Sequence, residues 1–140
     1  MKKYESVQIL VADGDVRLRE HLKYILEKEG YSVGVAEDGN HVFHTISSQN
    51  NVHILVCDVF LSGKSGLQIL KEGMVLNPHL KIILTTNYGE VEQYLATMNM
   101  GAFEYMIKPF PTGAFLEVIS RAVGVVTKNK RNDLSPRTLY

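Results

Sequence analysis

Four polar side chains stand at the ends of short apolar runs, and their types suit the chemistry of phosphoryl groups. Asp13 and Asp58 each follow a run rich in β-branched residues, and Thr86 and Lys108 stand at the ends of two later runs. A carboxylate can attack phosphorus and form an acyl phosphate. A lysine and a divalent cation can neutralise the group in transfer, and a hydroxyl can donate to its oxygens. Two carboxylates with few other ligands suit Mg²⁺, which keeps several of its waters.

The elements that must position these side chains alternate along the whole chain. Short apolar runs predict strands at 7–12, 31–36, 54–57, 82–86 and 103–107. Apolar residues at helical spacing predict helices at 16–29, 40–48, 67 to a stop near 77–78, 90–100, and 112 to about 126. Asp15 and Thr112 are the predicted N-caps of the first and last helices, and Gly30 and Gly101 are predicted helix stops.

Strict β-α alternation predicts an α/β fold of the flavodoxin-like kind. We expect a doubly wound, five-stranded parallel sheet in the order 2-1-3-4-5, with five helices on its two faces. Ligands of such sheets bind at the carboxyl ends of strands 1 and 3, which here carry Asp13 and Asp58. Residues 1–126 are therefore expected to form the domain, and residues 127–140 a polar linker or tail.

Composition limits the classes of function that remain. The 140 residues carry a formal net charge of zero, so neither nucleic acid nor an anionic membrane is an expected partner. No apolar stretch approaches membrane-spanning length and no signal peptide is visible, which favours the cytoplasm. The single cysteine, Cys57, excludes an intrachain disulfide and is expected to be an inert core thiol.

Residues 6–126 resemble the response-regulator receiver domain of bacterial two-component signalling, of the chemotaxis-regulator kind. The matching stretches are Ile9-Leu10-Val11-Ala12-Asp13, Ile54-Leu55-Val56-Cys57-Asp58, Ser62-Gly63-Lys64-Ser65-Gly66, Ile82-Ile83-Leu84-Thr85-Thr86 and Tyr105-Met106-Ile107-Lys108-Pro109-Phe110. The spacings between Asp58, Thr86 and Lys108 are also usual in that family. The resemblance implies a phosphoprotein that helps its own phosphoryl transfer and loss but is not otherwise an enzyme.

The resemblance also implies roles for individual residues. Asp58 matches the phosphoryl acceptor, and Asp13 and Asp58 match acids that hold Mg²⁺ together with the backbone carbonyl of Phe60. Thr86 and Tyr105 match the switch hydroxyl and switch aromatic, whereas Thr85 is the weaker candidate for the hydroxyl. Lys108 matches the family lysine, and the Lys108–Pro109 bond would be cis.

Two positions depart from the family pattern. Gly14 replaces the second acid, which is usually a direct metal ligand, so Mg²⁺ binding is expected to be weak. Asp15 follows and could compensate, although an N-cap role is favoured. Asn87 replaces the small residue that usually follows the switch threonine, and it could crowd the phosphoryl site.

Two functions follow from these observations. In the first, a histidine kinase or phosphotransfer protein phosphorylates Asp58, and the face of helix 4, strand 5 and helix 5 changes its partner, which could be a second copy of the chain. In the second, the domain is a degenerate receiver-like binding module with weak Mg²⁺ binding and little or no phosphorylation. Gly14 and Asn87 motivate the second.

Overall fold

Five strands and five helices alternate in the structure, a computed structural model that describes the backbone of residues 4–48 and 51–134 and the side chains of residues 7–48 and 51–128. The strands are β1 (Tyr4–Ala12), β2 (Tyr31–Ala36), β3 (Ile54–Asp58), β4 (Lys81–Thr86) and β5 (Glu104–Ile107). The helices are α1 (Val16–Lys28), α2 (Gly39–Ser48), α3 (Gly66–Leu76), α4 (Val91–Asn99) and α5 (Thr112–Leu134). In the described ranges, no helix combines the length and the apolar character needed to cross a membrane.

The strands form one parallel sheet in the order β2-β1-β3-β4-β5. This confirms the predicted flavodoxin-like order. Because all strands run the same way, their carboxyl ends lie at one edge of the sheet. The central strand β3 is buried on both faces, since its first four residues are at most 1% exposed.

Two apolar layers cover the sheet, one on each face. The first layer packs α2, α3 and α4 against it through residues that include Val42, Ile69 and Met98. The second packs α1 and α5 against it through residues that include Leu26, Phe115 and Ile119. Continuous apolar runs in the strands are thus explained by burial on both faces.

Local signals start and stop the helices. The Asp15 carboxylate accepts hydrogen bonds from the backbone N–H groups of Arg17 and Leu18, which confirms the predicted N-cap of α1. Gly30 and Gly101 follow α1 and α4 with φ values of 95° and 104°, a left-handed conformation that favours glycine. Both predicted helix stops are therefore confirmed.

Both predicted ends of α5 and the predicted start of β1 are wrong. Helix α5 continues to Leu134 rather than ending near Val126, because residues 127–134 include no glycine or proline that would end it. Thr112 is the first helical residue and not the cap, since the Phe115 N–H donates to the Pro111 carbonyl. Strand β1 begins at Tyr4, before the predicted start. Residues 135–140 of the predicted tail lie outside the described residues, and the domain boundary at 126 stays a prediction.

Candidate functional site

Asp13, Asp58 and Lys108 meet at the carboxyl edge of the sheet, each at or just after the end of a strand. The Lys108 ammonium nitrogen lies 2.7 Å from Oδ2 of Asp13 and 3.3 Å from Oδ2 of Asp58. The side chains of Lys108, Asp13 and Asp58 are only 10%, 4% and 15% exposed, respectively. One cation therefore bridges two carboxylates in a partly desolvated place, where removal of either kind of charge would leave the other unbalanced.

Every hydrogen-bonding group of Asp13 has a partner. Its N–H donates to the Ala36 carbonyl at 3.2 Å, and its Oδ1 accepts the Asp15 N–H at 2.8 Å. Its Oδ2 faces Lys108, and its carbonyl accepts Nη1 of Arg19 at 2.8 Å. The Asp13 carboxylate is therefore held in one orientation before any ligand binds.

Backbone contacts hold Asp58 in place, and its carboxylate remains partly exposed to solvent. Its Oδ1 accepts the Phe60 N–H at 3.0 Å, and the following residue, Val59, donates its N–H to the Thr85 carbonyl at 2.9 Å. Helix α3 begins directly against this segment, because a Cβ atom added at Gly66 would lie 2.6 Å from the Asp58 carbonyl oxygen. Only a glycine allows so close an approach behind the candidate acceptor.

Thr86, Tyr88 and Tyr105 form a hydrogen-bonded group beside the acidic residues. The Thr86 hydroxyl lies 3.1 Å from the Tyr88 nitrogen, and the Tyr105 hydroxyl donates to the Tyr88 carbonyl at 3.2 Å. Burial raises the pKa of the Tyr105 phenol; the Thr86 hydroxyl lowers it, and the charge of Glu90 raises it further. Tyr105 thus remains a neutral donor near neutral pH.

Two exposed aromatic rings flank the mouth of the site. Phe60 and Tyr88 contact edge to face with centroids 5.8 Å apart, and both rings are about two-thirds exposed. They cover a cavity of about 140 Å³ that Thr86 and Tyr105 also line. The two rings therefore lie beside the residues that follow Asp58 and Thr86 in the chain.

A larger cavity, of about 290 Å³, opens on the other side of Lys108. Leu18 and Leu22 of α1 and Phe115 of α5 form part of its apolar floor. Asn87 and Lys108 both line this cavity. Crowding of the phosphoryl site by Asn87 stays a prediction.

The residues present fit Mg²⁺ only in part. Asp13 and Asp58 offer hard carboxylate oxygens of the kind that this cation prefers, and Oδ2 of each lies within 3.3 Å of the Lys108 ammonium nitrogen. Across residues 7–48 and 51–128, whose side chains are described, no three His, Cys, Asp or Glu side chains are grouped to hold a metal. A Cβ atom at Gly14 would have the Glu37 carbonyl oxygen at 3.9 Å as its only close neighbour, so water has room where the usual acid would be.

Other predicted residues have clear positions but untested roles. Asp15 is engaged as the N-cap of α1, and its part in metal binding stays a prediction, as does that of the Phe60 carbonyl. The Lys108–Pro109 bond is cis, as the resemblance implied. Cys57 is fully buried, and burial above all, with the charges of Asp58 and Asp13, raises the pKa of its thiol far above the usual range.

Two residues that shape the site were missed from the sequence. Arg19 reaches back to the Asp13 carbonyl, and Gly66 allows α3 to begin against Asp58. A basic residue one turn after a predicted N-cap is a weak signal for the first. The small residue at the start of α3 is a better signal for the second, because glycine is a poor helix former unless close packing requires it.

Comparisons with known proteins agree with this geometry. Residues 9–120 match the family model described as the response regulator receiver domain. The chain therefore belongs to the response regulator receiver domain family, a class of signalling domain. Phosphorylation and Mg²⁺ binding are features of that family as a whole.

Individual relatives show how far the likeness extends. The chain is 30% identical over 134 residues to the C4-dicarboxylate transport transcriptional regulatory protein DctD of Pseudomonas aeruginosa, covering 96% of this chain and 28% of that protein. A CheY-like receiver domain from Methanospirillum hungatei superposes with a TM-score of 0.82 at 28% identity, covering 88% of this chain and 98% of that one. The response regulator TrrA of Thermotoga maritima, solved in complex with Mg²⁺ and BeF, gives 0.75 at 31% identity over 83% of this chain and 98% of that one. The chain spans about a quarter of the length of the first curated relatives.

Proposed function

We propose that Asp58 accepts a phosphoryl group from a histidine kinase or a phosphotransfer protein. The observation that carries this proposal is the position of Lys108, whose ammonium group lies within 3.3 Å of both Asp58 and Asp13. A cation in this place can balance the negative charge that an incoming phosphoryl group adds. Asp13 shares this lysine but its side chain is only 4% exposed, against 15% for Asp58, so Asp58 is the more accessible of the two carboxylates.

The transfer would exchange one bond to phosphorus for another. A carboxylate oxygen of Asp58 attacks phosphorus, and the bond from phosphorus to the donor's histidine nitrogen breaks, so that nitrogen keeps the electron pair. Lys108 and the Thr86 hydroxyl then contact oxygens of the phosphoryl group. A Mg²⁺ ion held by Asp13, Asp58 and the Phe60 carbonyl would supply further charge neutralisation.

Mg²⁺ affinity is proposed to be low because only two carboxylates converge. Gly14 contributes neither charge nor oxygen, and Asp15 already accepts two backbone N–H groups. Cation affinity of an all-oxygen site falls as the number of charged ligands falls. Phosphorylation should therefore require more Mg²⁺ than in a receiver with the full acidic set.

Phosphorylation is proposed to act through Thr86, Tyr105 and the face formed by α4, β5 and α5. This face exposes apolar side chains that a partner could bury, including Val91, Leu95 and Ile107, which are 72%, 56% and 51% exposed. A new dianionic group at Asp58 would shift Thr86, whose neighbours Tyr88 and Tyr105 lead to that face. The partner could be an output domain, another protein or a second copy of this chain.

The setting proposed for this switch is the bacterial cytoplasm. The domain would act as a phosphoacceptor and not as an enzyme with its own substrate, and neither a membrane nor nucleic acid is a proposed partner of this domain. A zero net charge supports the latter point.

The competing proposal is a binding module that is no longer readily phosphorylated. Gly14 and the exposed Asn87 beside Lys108 favour it. Incubation with acetyl phosphate and Mg²⁺, followed by intact-mass measurement, separates the two. One added phosphoryl group supports the switch, and none at saturating Mg²⁺ supports the binding module.

A further inference from the structure

Arg19 contacts the backbone of Asp13 and not its carboxylate. Its Nη1 donates to the Asp13 carbonyl at 2.8 Å, from one helical turn beyond the N-cap Asp15. The side chain is half-buried, and its Nε is fully buried with no acceptor among the described residues. Burial of an unpaired donor is unfavourable, and the hydrogen bond from Nη1 to the Asp13 carbonyl is a contact that offsets this cost.

The peptide that Arg19 holds is the one that links Asp13 to Gly14. Gly14 is exposed and has no side chain, so nothing of its own fixes the turn between β1 and α1. The Asp15 N–H on the far side of this turn donates to Oδ1 of Asp13. A rotation of the Asp13–Gly14 peptide would therefore disturb both the carbonyl that Arg19 holds and the carboxylate that faces Lys108.

We propose that Arg19 is a positioning residue, which fixes the Asp13 carboxylate against Lys108 by holding the Asp13 carbonyl. It acts through Asp13 and not on the phosphoryl group itself. The part of this proposal that concerns phosphorylation rests on the proposed function.

The chain offers a matched control for this test. Arg17 lies on the same helix with an exposed side chain, and its removal changes the net charge equally. Arg19→Met removes both the charge and the donor, whereas Arg19→Lys keeps a donor of similar reach. Arg17→Met should leave the position of the Asp13 carboxylate and its hydrogen bond from the Asp15 N–H unchanged.

The first measurement follows the Asp15 amide by NMR without metal or phosphoryl donor. This amide reports directly on the Asp13 carboxylate, because the two are hydrogen-bonded at 2.8 Å. Arg19→Met should move the Asp15 signal and raise its hydrogen-exchange rate, and Arg19→Lys should restore part of both. If the Asp15 amide signal stays the same in Arg19→Met, as it should in Arg17→Met, the proposal is overturned. If Arg19→Met does not fold, Arg19→Lys and wild type must still differ at Asp15.

The second measurement is the rate of phosphorylation by acetyl phosphate at saturating Mg²⁺. Misplacing a reacting group costs rate, so Arg19→Met should be slower by roughly tenfold, with partial recovery in Arg19→Lys. An equal rate in Arg19→Met and wild type would overturn the positioning role. If wild type takes no phosphoryl group, the proposed function fails, and the Asp15 amide alone decides the role of Arg19.

Discussion

The ammonium group of Lys108 lies 2.7 Å from the carboxylate of Asp13, although the two residues are 95 positions apart in the chain. The parallel sheet produces this contact, because β1 and β5 end at the same edge. Both side chains are largely buried and their charges balance, so the Asp58 carboxylate, 3.3 Å from the same ammonium nitrogen, leaves the three residues with one excess negative charge. A charged group added to Asp58 would therefore lie close to the Lys108 ammonium group and interact with its charge.

Gly14→Asp should tighten Mg²⁺ binding. The position is open, since the nearest atom to an added Cβ is the Glu37 carbonyl oxygen at 3.9 Å. The change adds one charged oxygen ligand, which should lower the dissociation constant on the order of tenfold. Calorimetric titration measures it, and Gly14→Asn is the neutral control of equal size. No gain over that control would mean that Asp15 or water already completes the site.

Asn87→Ala should speed both phosphorylation by a small donor and loss of the phosphoryl group. The larger side chain stands beside Lys108, and attacking water needs the same opening as the donor. The Phe60 and Tyr88 rings narrow the other side, so the wild-type phosphoprotein should be long-lived once formed. Rates measured by mass spectrometry in the Gly14→Asp background keep metal occupancy constant. A slower reaction in the alanine variant would instead show that Asn87 donates a hydrogen bond to the phosphoryl group.

Gly66→Ala should destabilise the protein and disturb Asp58. The added methyl group would lie 2.6 Å from the Asp58 carbonyl oxygen and 2.7 Å from the Val59 Cα, and neither is the end of a flexible side chain. Overpacking of this kind costs about 1–3 kcal/mol in the free energy of unfolding. Gly124→Ala in α5 is the control, because nothing lies within 4 Å of its added Cβ. Urea denaturation should show the control unchanged or more stable, and equal loss in both variants would contradict the close contact.

Cys57 should resist thiol reagents in the native protein and react fully after unfolding. Its pKa is raised above the unfolded value, so the thiol stays protonated in the folded state at neutral pH. The resulting stabilisation is complete below the ordinary thiol pKa and declines as pH rises above it. The measurement is reaction with an aromatic disulfide reagent, which releases a coloured thiolate for each thiol that reacts. Because the chain has one cysteine, the colour reports Cys57 alone. Rapid native labelling at neutral pH would show that β3 opens easily.

The fold was predictable because its signals are local. Apolar runs marked the strands, Asp15 marked the start of α1, and Gly30 and Gly101 marked two helix ends. The last helix was predicted too short because a mostly polar run such as 127–134 has the composition of a solvated helix and of a linker alike.

The site was only partly predictable, for a different reason. Asp13, Asp58 and Lys108 were found because their strand ends must meet. The contacts of Arg19 and Tyr105 end on the backbone carbonyls of Asp13 and Tyr88, and a carbonyl acceptor leaves no trace in the residue types.

The most direct test of the proposed switch is the intact mass of wild type and Asp58→Asn after incubation with acetyl phosphate and saturating Mg²⁺. Wild type should gain one phosphoryl group and Asp58→Asn none. Asp38→Asn, which changes a half-buried carboxylate just before α2, should behave like wild type. Peptide mapping should place the group on Asp58. An adduct that persists on Asp58→Asn, or wild type that stays unmodified even in the Gly14→Asp background, would contradict phosphoryl acceptance by Asp58.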